Sequence, residues 1–213
     1  RTFSALTEAV KFMNELEIIN KHPELRKGFS WVIKNSTSNN LPYHNFNHLL
    51  VVVRYVYQAC QYYNLPEKDE KELLMAALFH DVNHSGGSET DDVNVQRAKF
   101  VVSHVIDNYD IDIDKDEVCG IIGVTQYPYV VQVEDMNLKQ LIIRDADLMQ
   151  VFEYNWIQQN MMGLSQEMNI PLGKMIYGQK DFLNGAQFNT DWGLFWKEQR
   201  WRDVKDKLTM LEE

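Results

Sequence analysis

Residues 70–84 read EKELLMAALFHDVNH. The stretch is rich in strong helix formers and carries apolar side chains at Leu73, Leu74, Ala77 and Leu78, which predicts a buried helix. At His80 the composition turns abruptly to ionisable residues, and Gly86-Gly87 follows. Buried turns therefore deliver His80, Asp81 and His84 to the edge of the core. Desolvating such groups singly is costly, so they either pair with each other or hold metal ions, which accept neutral imidazole and carboxylate together.

The helical period extends outward from this stretch in both directions. Upstream, Leu6, Val10, Met13 and Leu16 make one stripe and predict a helix over residues 4–20. A second short helix follows Pro23 as far as residue 34, and NSTSNNLP (35–42) is a polar loop. Leu49, Val52, Val53, Val56 and Cys60 form the buried stripe of a helix over 45–63, which Leu65-Pro66 ends; the next helix runs from residue 69 through the opening stretch. Downstream, helices are expected over 91–108, around Val118, Ile121, Ile122 and Val124, then over 138–162, 172–187 and 191–211. YPYVVQV (127–133) is β-prone and reads as extended or weakly paired. With no repeat and no linker, the economical architecture is one all-α domain over residues 1–213.

Composition narrows the function. Hydrophobic residues make up 45% and charged residues 24%, ordinary globular values that exclude disordered and disulfide-scaffold classes. The 21 basic against 31 acidic residues leave a formal charge of −10, which repels polyanions and argues against a nucleic-acid polymer as partner. Cys60 and Cys119 lack C-x-x-C spacing and read as two buried thiols in a reducing compartment. No apolar run approaches the roughly 18 residues of a membrane span, and the start lacks a signal-peptide plan, so a cytoplasmic location is expected. With Arg1 rather than Met at its head, the chain reads as a fragment or processed product.

Four of the six histidines fall into two i, i+4 pairs, His44 with His48 and His80 with His84. On a helix that spacing sets both rings on one face, within reach of a common centre, although His44 precedes the predicted helix start. In IIRDADLM (142–149), Asp145 and Asp147 interrupt an apolar stripe, and because i and i+2 do not share a face only one is expected to point inward. The other, Asp145, reads as a solvent-facing acid. His22 beside Pro23 reads as a surface residue, and His104 has no partner pattern. Asp110, Asp112 and Asp114 begin like a calcium loop, but Lys115 holds the position of the turn glycine and Ile121 that of the bidentate acid, so the segment reads as a solvated linker. Trp192, Phe195, Trp196 and Trp201 are spaced to pack the last helix onto the rest.

YHNFNH (43–48), HDVNH (80–84) and Ala146-Asp147-Leu148, in that order, resemble the motifs of the HD superfamily of phosphohydrolases. Within it they are most similar to the catalytic domain of class I cyclic nucleotide phosphodiesterases, which have a compact multi-helix bundle. QKDF (179–182) matches the spacing at which those enzymes carry a glutamine and a phenylalanine that grip the base. The resemblance implies that His48, His80, Asp81 and Asp147 hold a first ion (Zn, Fe or Mn), with Asp81 bridging to a second (Mg or Mn) otherwise held by water. It implies His44 as general acid, His84 as support behind the ligands, and Thr125 near the second ion's water. Tyr43, Gln179 and Phe182 would line the substrate site. After HDVNH the pattern departs, leaving Glu89, Asp92 or Asn94 as counterparts of the family's supporting acid, and Met149-Gln150 stand where animal enzymes carry other residues that contact the nucleotide.

The implied reaction is hydrolysis of a 3′,5′-cyclic nucleotide to the 5′-monophosphate. Two cations roughly 3.5–4 Å apart can activate a shared water and neutralise the anionic phosphoryl group, which an acidic chain needs. A histidine with pKa near 6.5 suits the departing ribose oxygen as proton donor. Rival readings are an HD nucleotidase or nucleoside triphosphate hydrolase, a cyclic oligonucleotide phosphodiesterase, and a silent nucleotide sensor. The oligomeric state is not legible.

Overall fold

The computed structural model describes residues 14–212. They are all-helical, with no strand among the described residues. Helix α1 (Glu15–Lys21) opens with a capping box: Asn14 accepts from the Glu17 N–H while Glu17 accepts from the Asn14 N–H. Most of the first predicted stripe, Leu6, Val10 and Met13, lies outside the described residues. Leu16 faces solvent, and α1 buries Ile18 and Ile19 instead.

Helix α2 (Pro23–Asn35) begins on its proline, and α3 (Phe46–Tyr63) is capped by Asn45, whose side chain accepts from the His48 N–H. Asn64 ends α3 at φ 52°, a left-handed turn that asparagine tolerates. Helix α4 (Glu67–Phe79) is the axis of the molecule, with α2, α3, α5 (Asp91–Asn108), α6 (Lys115–Gly123) and α7 (Leu138–Leu148) packed around it. Every side chain from Leu73 to Phe79 is fully buried, which is why that half of α4 is apolar on all sides while Glu67 to Glu72 are all charged. The predicted helix over 69–84 therefore stops short, and residues 80–83 form a turn.

The predicted helix over 138–162 is broken. After α7 the chain tightens into a 3-10 turn (Met149–Phe152), passes the fully exposed Tyr154, and resumes as a π-helical segment (Ile157–Gly163) that runs into α8 (Leu164–Glu167). Helices α9 (Leu172–Gly185) and α10 (Asp191–Glu212) complete the chain. A smaller cluster of Val151, Trp156, Met161, Met175, Leu183, Val204 and Leu208 joins these last elements. Trp192 enters the main core, Trp196 packs against it and Trp201 against the smaller cluster, as their spacing predicts.

Three residues sit differently from expectation. Asp145 is fully buried: its carboxylate accepts from the N–H of Asn189 (2.9 Å) and Thr190 (2.8 Å) and from the Thr190 hydroxyl (2.7 Å) at the start of α10. Helix α7 is covered on two sides, so Asp145 and Asp147 both point inward, in different directions. His22 is buried, and its Nε2–H donates to Glu70 Oε1 (2.8 Å), which also takes the Lys21 ammonium. Cys119 is half-buried beside Ser103, whereas Cys60 is buried. YPYVVQV is neither a strand nor uniformly extended: it bends at Tyr127, Pro128 and Val131 and enters a 3-10 turn at Val133, held by Arg144, which donates to the carbonyls of Val124 and Val131 and lies over the Tyr129 ring. No helix of the described residues is long and apolar enough to cross a membrane.

Candidate metal centre and active site

The start of α3 and the end of α4 meet. His48 stands on the first turn of α3, His80 caps the end of α4, Asp81 follows it, and Asp147 projects from the last turn of α7. One atom from each of the four lies within 4.8 Å of the others. His48 Nε2 is 3.3 Å from His80 Nε2 and from Asp81 Oδ2, and 3.1 Å from Asp147 Oδ1.

Both imidazoles are oriented from behind. His80 Nδ1–H donates to the Ala77 carbonyl (2.8 Å), and His48 Nδ1–H faces Gln150 Oε1 at 3.3 Å. Each Nε2 then turns a lone pair toward two carboxylate oxygens, a donor set that fits a transition-type divalent cation. The electrostatics agree. Burial works to lower the His48 pKa, but hydrogen bonds and charge from Asp147 and Asp81 prevail and lift it to about 9. His80 is likewise raised well above its ordinary value against the effect of burial, chiefly by the Asp81 charge. Burial would raise Asp81 and Asp147, yet the histidines hold both carboxyls below the ordinary range. The pocket demands positive charge.

The other two histidines pair across the helix ends, not within them. His44 lies before the Asn45 cap and His84 beyond the turn that ends α4, so neither i, i+4 pair lies on one helix face. Their rings stack on each other at 3.6 Å, and Glu167 from α8 joins them. Glu167 Oε2 accepts the N–H of Tyr43 (2.8 Å) and of His44 (3.1 Å), and Oε1 takes the His44 Nδ1–H in a very short bond. Burial pushes the Glu167 carboxyl up, but these bonds outweigh it and hold it below its ordinary value. Among Glu89, Asp92 and Asn94, the structure brings Asn94 to His84 (3.0 Å), while Glu89 pairs with Arg97 and Asp92 is exposed.

A cavity of about 390 Å³ opens from this cluster. Tyr43, His44, Asp81, His84, Thr125 and Asp147 line it, and so do Tyr127, Val151, Asn160, Gln179, Phe182 and Leu183. The Tyr43 ring lies 4.9 Å from His48, and burial raises its phenol pKa well above the ordinary value, with Asp147 and Asp81 adding to the effect. Thr125 spends its hydroxyl proton on the Ile122 carbonyl (2.9 Å). Gln179 is buried rather than surface-exposed, and Phe182 meets Tyr127 edge to face at 5.4 Å. All ten residues singled out from the sequence thus adjoin this one region. Gln150 is fully buried behind His48 and is not among the residues that line the cavity.

Sequence reasoning missed Glu167, Gln150 and Tyr129. Glu167 carries no local signal, sitting in LSQE far from the histidine motifs. Gln150, three residues after Asp147, offered only the hint of a polar residue in an apolar run.

Fold and donor set together define an all-helical protein with a histidine–aspartate centre. Residues 45–151 match the HD domain, and the chain belongs to that family. Similar solved structures include the phosphodiesterase domain of Salpingoeca rosetta rhodopsin phosphodiesterase, with a TM-score of 0.62 and 15% identity over 100% of this chain and 90% of that one. Another is the phosphodiesterase domain of the RhoPDE fusion protein from the same choanoflagellate, with a TM-score of 0.60 and 16% identity over 99% and 89%. At such identity the likeness is one of fold. No curated protein matches the sequence. Family membership and the His/Asp cluster support a metal-dependent phosphohydrolase.

Proposed function

We propose that the whole chain acts as one catalytic unit, a cytoplasmic phosphodiesterase that hydrolyses a 3′,5′-cyclic nucleotide to the 5′-monophosphate. The observation that carries this reading is one cavity bordered both by the histidine–carboxylate centre and by Gln179 with Phe182. His48, His80, Asp81 and Asp147 would hold a first ion (Zn, Fe or Mn), and Asp81 would be shared with a second (Mg or Mn). Bound there, such ions supply an activated water and neutralise the phosphoryl charge.

The chain's own residues do the rest. Glu167 fixes the His44 ring through Nδ1, which leaves Nε2 as the nitrogen that carries a proton to the leaving ribose oxygen. His84 stacks on His44 and limits its tilt. Phe182 offers a face to the base, and the Gln179 amide can donate and accept at its edge.

A metal-supplemented screen across cyclic AMP, cyclic GMP, a cyclic dinucleotide, a nucleoside monophosphate and a triphosphate, with product identification, tests the assignment. Release of a 5′-monophosphate from a cyclic mononucleotide is expected; turnover confined to the monophosphate or triphosphate would establish the nucleotidase reading instead. His44→Ala should keep its metal and lose about 10²–10⁴ in kcat. Asp147→Ala should lose both, and equal metal loss in the two variants would contradict the division of roles.

A further inference from the structure

Tyr129 lines the cavity with a phenol that the protein itself does not use, and we infer that it is a further catalytic residue, donating a hydrogen bond to an anionic phosphoryl oxygen of the substrate. The side chain is half-buried, and its hydroxyl has no hydrogen-bond partner among the described residues, nor is it sealed off by packing. The segment that carries it is pinned at both ends. Ahead of it, the Tyr127 N–H donates to Asp91 Oδ2 (2.6 Å) at the start of α5; behind it, the Val131 carbonyl accepts from Arg144 (3.0 Å). Arg144 is 3% exposed yet forms no ion pair among the described residues. A buried arginine ordinarily takes a carboxylate. Here two carbonyls and the face of the Tyr129 ring, 3.9 Å from the guanidinium carbon, take that place and hold the ring from behind.

A row of rings sets where the phenol stands. Phe182 meets Tyr127 edge to face at 5.4 Å, and Tyr127 meets Tyr129 in the same manner at 5.5 Å, so the row leads from Phe182 to Tyr129. The far end adjoins the histidine–carboxylate centre: Tyr43, whose ring lies 4.9 Å from that of His48, feels the charge of Tyr129. Burial, and after it the Asp147 charge, raise the Tyr129 phenol above its ordinary pKa, so it keeps its proton at neutral pH. Asp81 and Asp147 are turned to His48 and His80, which leaves the phenol without an acceptor until a ligand brings one. With a base at Gln179 and Phe182, the group that reaches this end is the phosphoryl group, whose negative charge makes it a strong acceptor. The inference deepens the phosphodiesterase reading and rests on it for the order of these groups.

Tyr129→Phe removes only an oxygen that has no protein partner, so the fold and the metal content should not change. In manganese-loaded protein, calorimetry with inorganic phosphate should show affinity weakened about tenfold or more, and kcat/KM for a cyclic nucleotide should fall about 10–100-fold, as for a hydrogen bond to a charged acceptor. Arg144→Lys cannot both cover the ring and fork to two carbonyls. As a positioning residue, its loss of kcat/KM should not add to that of Tyr129→Phe in the double variant; full additivity would overturn the positioning role. Tyr129→Phe alone decides the contact. Phosphate bound as tightly as by wild type would overturn it, and so would metal loss, which would place the tyrosine's effect on the ligand cluster. Weakened phosphate with an unchanged kcat/KM would overturn the catalytic role. If no cyclic nucleotide is turned over while phosphate affinity falls as expected, the proposed function fails and the contact stands. Full turnover by Tyr129→Phe with unaltered phosphate binding is the reverse.

Discussion

His48 and His80 owe their use as ligands to what stands behind them. A neutral imidazole presents a lone pair at Nε2 only if Nδ1 holds the proton, and each ring has an acceptor there: the Ala77 carbonyl for His80, the Gln150 amide for His48. The first belongs to the backbone of α4, so mutation cannot remove it without rebuilding the helix. The second is a side chain, fully buried, whose Nε2 has no partner of its own. Gln150 is therefore held by packing, and its oxygen is committed to His48. Gln150→Leu should keep the fold and lower metal affinity about 10–100-fold, measured by chelator competition. Unaltered affinity would mean that the carboxylates alone orient the ring. A residue of this kind is hard to find from sequence, because its partner lies more than a hundred positions away and its chemistry is borrowed from that partner.

Among the elements, those that meet the main core were legible and those that leave it were not. The stripe on α3, Leu49, Val52, Val53, Val56 and Cys60, is buried as its spacing predicts, while Val51, Tyr55, Tyr57 and Ala59 are buried as well because α3 also packs against α1, α7 and the turn after α7. Helix α4 announced itself by composition, yet its end was misplaced, since the turn over 80–83 contains no proline or glycine to mark it. Asp145 was misread for a related reason: the i, i+2 argument assumes one wet face, and α7 has buried residues on both. The break after α7 also lacks a breaker residue before Gly163. That glycine has a structural purpose. A Cβ there would lie 2.7 Å from the Pro42 carbonyl oxygen, a backbone atom next to Tyr43 and His44. The π-helical segment thus rests directly on the loop that carries the proposed acid. Gly163→Ala should push that loop away, lowering kcat at least about tenfold while metal content stays unchanged. Metal loss in parallel would place the strain in the ligand cluster instead.

The molecule as a whole opposes its proposed substrate. A formal charge of −10 creates a field that repels an anionic phosphodiester, and two divalent cations would cancel only part of it. The cations act at short range, inside a cavity lined by Asp81, Asp147 and Glu167, whereas the acidic surface acts on the approaching ligand. The balance at a distance is set by screening: the Debye length is about 30 Å at 0.01 M salt, comparable to the protein's dimensions, and about 8 Å at 0.15 M. Raising salt between these limits should therefore increase kcat/KM for a cyclic nucleotide, by about twofold or more, because encounter is eased while the reacting groups stay shielded from bulk ions. The kcat should not move, since the substrate is already seated when that step begins. A kcat/KM that falls with salt would show that the bound cations project their field beyond the cavity mouth and draw the substrate in.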